Sequence, residues 1–203
     1  MKKKLLLFAA LLLIIAATAT AAYVLLRNRP AQPVELVAAV DHAVGEAEFF
    51  LQNDERWADD ELSGSGYHMR GSGCLVSCIA SALQAQGIDT NPGELNRLFN
   101  ENEVYNERGE VIWSNISNVY PQVRTEIPSQ INPEQIERAL DNGNYPIVKV
   151  RYKGTGYQHW VLLIGSAGGD YLCMDPLNAG KNPLPLSEHG GTVYACRFIT
   201  ITQ

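Results

Sequence analysis

"IVKVRYKGTGYQHWVLLIGSAGGDYLCM", Ile147 to Met174, holds three apolar runs separated by two turn signals. Ile147–Tyr152, Trp160–Ile164 and Tyr171–Met174 are short and rich in β-branched and aromatic residues, so they read as strands. The "GTGY" and "AGGD" between them are turn chemistry for antiparallel neighbours and leave no room for crossover helices. "TVYACRFITIT", Thr192 to Thr202, supplies a last strand. A doubly wound parallel sheet is therefore disfavoured.

Working outward, the preceding half is helical. "RGSGCLVSCIASAL", Arg70 to Leu83, passes from a Gly-Ser-Gly turn into an apolar helix that begins at or just after Cys74, and Gly87 closes it. Thr90-Asn91-Pro92-Gly93-Glu94 is a capped start for a short helix through Phe99. Asn132-Pro133-Glu134 opens another helix, which runs to about Leu140 and stops at Asn142-Gly143. Val34, Leu36, Val37, Val40, Val44 and Ala47, with Phe50 or Leu51, also predict a helix over Val34–Phe50. Helices first and an antiparallel sheet afterwards define an α+β domain.

The chain has 203 residues, room for one domain plus extras. A hydrophobic share of 46% against 19% charged argues against disorder. A net charge of −6, with no basic stripe, argues against nucleic acid as a partner. Lys2, Lys3 and Lys4 precede an uncharged run from Leu5 to Leu26, closed by Arg27 and Arg29. As a helix that run spans ~33 Å, enough for a ~30 Å hydrocarbon core. Leu5–Ala16 followed by Ala17-Thr18-Ala19 or Ala19-Thr20-Ala21 equally fits a cleaved signal peptide. Either reading puts the folded domain outside the cytoplasm, the uncleaved one with the membrane as partner. Residues 1–27 are thus a signal peptide or N-terminal anchor, 28–48 a linker and leading helix, and 49–203 the functional domain.

There are four cysteines. Cys173 and Cys196 can form a disulfide if their strands are neighbours; otherwise they are small buried hydrophobes. No cysteine or histidine spacing fits a zinc pattern, so neither metal nor cofactor is implied. Cys74 stands at a helix start, where unpaired amides favour a negatively charged thiolate. Cys78 lies one turn further in and is expected to pack. A nucleophilic cysteine needs a base. Of the four histidines, His159 directly precedes the strand "WVLLIG", and Asp175 ends the next strand at "YLCMDP". Hairpin neighbours bring such side chains together, so that a carboxylate orients the imidazole. His42, His68 and His189 are expected to take no part.

Two blocks carry a family resemblance. "LQNDERWADDELSGSGYHMRGSGCLVSCIASAL" resembles the opening block of the peptidase C39-like proteins, within the papain-like cysteine peptidases. "ALDNGNYPIVKVRYKGTGYQHWVLLIGSAGGDYLCMDPL" resembles their closing block, and together they cover roughly Phe49 to Ile199. The resemblance implies a papain-like cysteine peptidase fold, with Cys74 as nucleophile, His159 as general base, Asp175 as the orienting residue and Gln52 as an oxyanion-hole donor. It also implies hydrolysis of a peptide or related amide bond. Many relatives carry a small, turn-like group such as Gly-Pro-Thr after the cysteine, where this chain has Leu75-Val76-Ser77. Two other readings stay open: a cell-wall amidase or endopeptidase of the same chemistry, and a non-catalytic peptide- or glycan-binding module. Trp57 and Trp113 are candidates to line the cleft, with burial in the core as the alternative.

Overall fold

The computed structural model of the chain describes residues 14–16, 18–20 and 32–202. The apolar run 5–26 lies mostly outside these residues. Among those described, no helix is long and apolar enough to cross a membrane.

In chain order the first elements are β1 (Val34–Glu35), α1 (Met69–Ser72), α2 (Cys74–Ala85), α3 (Pro92–Glu101), α4 (Ile116–Val119), β2 (Val123–Glu126) and α5 (Pro133–Asp141). The strands β3 (Ile147–Arg151), β4 (Gln158–Ala167), β5 (Asp170–Met174), β6 (Leu184–Pro185), β7 (Thr192–Val193) and β8 (Ala195–Ile201) follow. Six of them form one sheet in the order β2-β8-β3-β4-β5-β6, with every pairing antiparallel. The expected α+β class and the three central strands are as the sequence implies. Both Asn-Pro starts are capped as expected, Asn91 accepting from Glu94 N–H and Asn132 from Glu134 N–H. The strands β2 and β6 carry no comparable signal, and sequence reading missed them.

The sheet is covered on both faces, which is why β3 and β4 read as nearly continuous apolar runs rather than strict alternations. Ile147, Leu162, Ile164, Met174 and Ile199 pack with Ile79, Leu83 and Phe99 of the helices α2 and α3. Val148, Val150, Val161, Leu163 and Cys173 face the other way, towards Ile136 and Leu140 of α5 and towards Leu36.

The helix expected over Val34–Phe50 does not form. Apart from the two-residue strand β1, this segment is an irregular extended strap across the second face of the sheet. Leu36 and Ala38 point inward and are buried, whereas Val37 between them is 67% exposed. That is a period of two, which a short apolar-rich segment can mimic at helical spacing. Distant backbone settles the choice: Leu36 N–H donates to Gly191 O, Ala38 N–H to Gly169 O and Gly45 N–H to Ile164 O. His42 exchanges backbone bonds with Ser166, whose hydroxyl also meets His42 Nδ1 at 2.8 Å. Gly165 permits this crossing, since a Cβ there would lie 3.0 Å from Val44 Cα.

The Cys173–Cys196 disulfide does not form either. The strands β5 and β8 are separated by β4 and β3, and all four cysteines are free. Both are buried small hydrophobes, and Cys173 donates its thiol to Leu184 O.

Candidate active site

Two short helices in series present Cys74. α1 ends at Ser72 and α2 begins at Cys74, with Gly73 as both the end of one and the cap position of the other. A Cβ on Gly73 would sit 2.6 Å from Met69 O, so glycine is required for this close turn. Gly71, by contrast, meets nothing within 4 Å and lines the open cleft. No side chain caps α2, leaving the amides of its first turn without a side-chain acceptor. Leu75-Val76-Ser77 does not disturb the helix start: Val76 and Ser77 turn inward, and Leu75 lines the cleft.

Cys78 is fully buried and donates its thiol to Trp160 O at 3.4 Å. Burial pushes its pKa well above that of a free thiol, so Cys78 stays neutral and inert. The same bond fixes the docking of α2 on β4. With Cys78 at Trp160, Cys74 one turn earlier comes to the preceding residue, His159.

β4 and β5 deliver His159 and Asp175 to each other. Leu162 stands opposite Met174, and continuing that register puts Asp175 level with Val161, on the face that His159 shares. His159 Nε2 lies 2.6 Å from Asp175 Oδ1, and both residues are buried. Asp175 Oδ1 also accepts from Leu177 N–H at 2.8 Å, a turn bond that orients the carboxylate. His159 Nδ1 is buried with no hydrogen-bond partner, which leaves it as the nitrogen for the neighbouring Cys74. Burial acts to lower the His159 pKa. The bond to Asp175 and the nearby Cys74 sulfur outweigh it and raise the pKa to about 9. For Asp175, burial acts upward, but the contacts with His159 and His189 hold its carboxyl well below the usual range.

His189, which sequence reasoning set aside, also stands beside Asp175. Its Nε2 lies 3.3 Å from Asp175 Oδ2, less well aligned than the His159 bond. His189 Nδ1 accepts from Lys153 N–H, so the proton belongs on Nε2, facing the carboxylate. Two glycine turns make this possible: a Cβ on Gly190 would come within 3.1 Å of Gly154 Cα. The "KGTG" and "EHGG" turns therefore pack backbone on backbone. Tyr152 meets the edge of the His159 ring at 5.5 Å and stacks on Tyr157, closing an aromatic box around the imidazole.

Gln52 is buried beside this group and lines the same cleft. Its side-chain Nε2 donates to Arg70 O at 2.8 Å, and its backbone N–H donates to Pro176 O. A carbonyl can only accept, so the amide orientation is fixed and one N–H hydrogen remains unspent. Gln52 thus ties the segment carrying Cys74 to the segment carrying Asp175. Of the two tryptophans, Trp113 lines the cleft, whereas Trp57 is buried against Phe50. His42 lies away from the site, bound to Ser166 and facing Glu137 and Asp141. The whole cleft measures about 810 Å³.

No protein-family model matches the chain, and no curated protein matches it in sequence. Among solved structures it is similar to a Bacillus anthracis protein provisionally described as a C39-like peptidase. The two chains share 13% identity and superpose with a TM-score of 0.53 over 81% of this chain and 99% of the other. At that identity the likeness is one of fold: this is a mixed helix and antiparallel-sheet domain that shares its architecture with that structure.

Proposed function

We propose that this protein is a cysteine peptidase that hydrolyses a peptide or related amide bond through Cys74, His159 and Asp175. The observation that carries the reading is the convergence of an uncapped helix start bearing Cys74 on a buried imidazole whose far nitrogen is already held by a carboxylate. In the reaction the Cys74 thiolate attacks the carbonyl carbon, forming the C–S bond while the carbonyl electron pair moves to oxygen. The Cys74 backbone N–H precedes the bonding ladder of α2, which opens with Ser77 N–H on Gly73 O. That N–H and the unspent Gln52 hydrogen receive the oxyanion. His159 Nδ1 passes its proton to the departing amine, and then takes one from the water that cleaves the thioester. Asp175 holds the imidazole in orientation, and His189 holds Asp175.

Brief treatment of the native protein with iodoacetamide tests the nucleophile. Mass-spectrometric mapping should find the label at Cys74, with Cys78, Cys173 and Cys196 protected by burial. Label on Cys78 instead, or on no cysteine, would defeat the assignment. A protein that binds peptides without hydrolysing them would keep the cleft but would not need the His159–Asp175 pair.

The apolar run 5–26 behind three lysines supports export of the domain, either anchored or released. A reporter fused after Gln203 should then be active only outside the cytoplasm. Cytoplasmic activity alone would overturn this, and N-terminal sequencing separates an anchor from a cleaved signal.

A further inference from the structure

One wall of the cleft carries two cations for which the reaction has no use. Lys149 stands directly opposite Trp160 on β4, and Arg197 stands opposite Ile147, two residues before Lys149 on the same surface of β3. Lys149 Nζ lies 5.2 Å from the Trp160 ring centre, and the Arg197 guanidinium carbon lies 5.5 Å from those of both Trp160 and Trp113. All four line the cleft that holds Cys74 and His159.

Neither cation has a carboxylate within ion-pair distance among the described residues. Glu110, across the cleft, acts on Lys149 from further away, and its own carboxylate accepts from Asn106. Burial and the neighbouring Arg197 both push the Lys149 pKa down, so the two charges sit together at a cost. Arg197 gives Nη1 to Cys196 O, while its Nε is buried without a partner. Lys149 has one long contact, 3.4 Å to Gln158 Oε1. The tryptophan faces offset part of this cost but neutralise no charge. Paired cations with unspent donors, framed by aromatic walls, are the chemistry that receives a carboxylate.

We propose that Lys149 and Arg197 form a specificity subsite for an acidic residue of the peptide substrate, with Trp113 and Trp160 framing its side chain. The inference rests on the peptidase reading for its substrate class but not on turnover. It is therefore tested by binding to the full chain carrying Cys74→Ala. Calorimetric titration compares capped hexapeptide pools with Glu fixed at each position in turn against pools with Gln there. At one position or more the Glu pool should bind at least about tenfold tighter, the usual worth of a charge-assisted contact. Lys149→Gln and Arg197→Gln should each erase most of that preference and leave affinity for the Gln pools unchanged. Equal affinity for Glu and Gln pools at every position, binding by neither, or a preference that survives Lys149→Gln would overturn the proposal. Arg197 is partly buried and its variant is open to misfolding, but Lys149→Gln and the comparison on the Cys74→Ala chain decide without it. If Cys74 proves reactive and no Glu preference exists, only this inference fails. If Glu is preferred and nothing is hydrolysed, the peptidase reading fails and the subsite stands.

Discussion

Replacing His159 by alanine is expected to slow peptide hydrolysis by at least about 10³-fold and to suppress alkylation of Cys74 in parallel. The imidazole is 1% exposed, with one nitrogen on Asp175 and the other left for Cys74. The fold should survive, because Asp175 keeps its bond from Leu177 N–H and its contact with His189. Circular dichroism verifies that the variant is folded before rates are compared. In a peptide-binding module the thiol would be a bystander, and its alkylation would ignore His159. Equal alkylation rates in the parent protein and His159→Ala, with matching spectra, would sink the catalytic reading.

How much of this was legible beforehand divides along physical lines. The candidates Cys74, His159 and Asp175 are legible because each rests on local chemistry: a Gly-Ser-Gly turn into a helix, and two strands joined by a tight turn. Strand pairing of Ile147–Met174 needs only near neighbours, but the face on which Asp175 meets His159 is set by a register shift between Leu163 and Gly165 that the sequence does not announce. Gln52 was suggested only by resemblance, since its place depends on bonds to Arg70 and Pro176, which lie far along the chain. His189 was invisible for the same reason. Its position comes from a contact between two glycine turns, and either turn alone looks like an ordinary loop. The strap over Val34–Phe50 was misread because its apolar residues satisfy two periods at once. The deciding term, hydrogen bonds to Gly191, Gly169 and Ser166, is tertiary.

Those distant contacts make Asp175 the hub of the site rather than a simple third member. It receives His159 on one oxygen and faces His189 with the other, in a volume closed to solvent. A buried carboxylate between two imidazoles favours the imidazolium form of His159, which is the form that can protonate a leaving amine. The Cys74 sulfur adds to the same effect from the other side of the ring.

The pH profile of Asp175→Asn follows from that arrangement. In the parent protein the His159 pKa is raised from its ordinary 6.5 to about 9, so hydrolysis should persist into mildly alkaline solution and decline as pH rises through about 9. Asparagine removes one of the two charges that raise this pKa, leaving the Cys74 sulfur and the burial that lowers it, so the alkaline limb should move down from about 9. Near pH 8 the variant should lose about 10²-fold in kcat/KM, less than His159→Ala, because the ring remains in place. His189→Ala should shift the limb in the same direction by a smaller amount, since Asp175 keeps its charge and its better-aligned partner. Stability follows with a definite sign. The raised His159 pKa contributes fully below 6.5 and is lost as pH climbs through about 9. The depressed Asp175 pKa contributes above the ordinary carboxylate value of 3.8 and is lost as pH falls through its lower folded value. Urea unfolding midpoints should therefore be highest between about pH 4 and 6.5 for the parent and fall less towards pH 9 in Asp175→Asn. An alkaline limb that stays at the same pH in Asp175→Asn would show that the carboxylate does not set the imidazole, and would remove Asp175 from the mechanism.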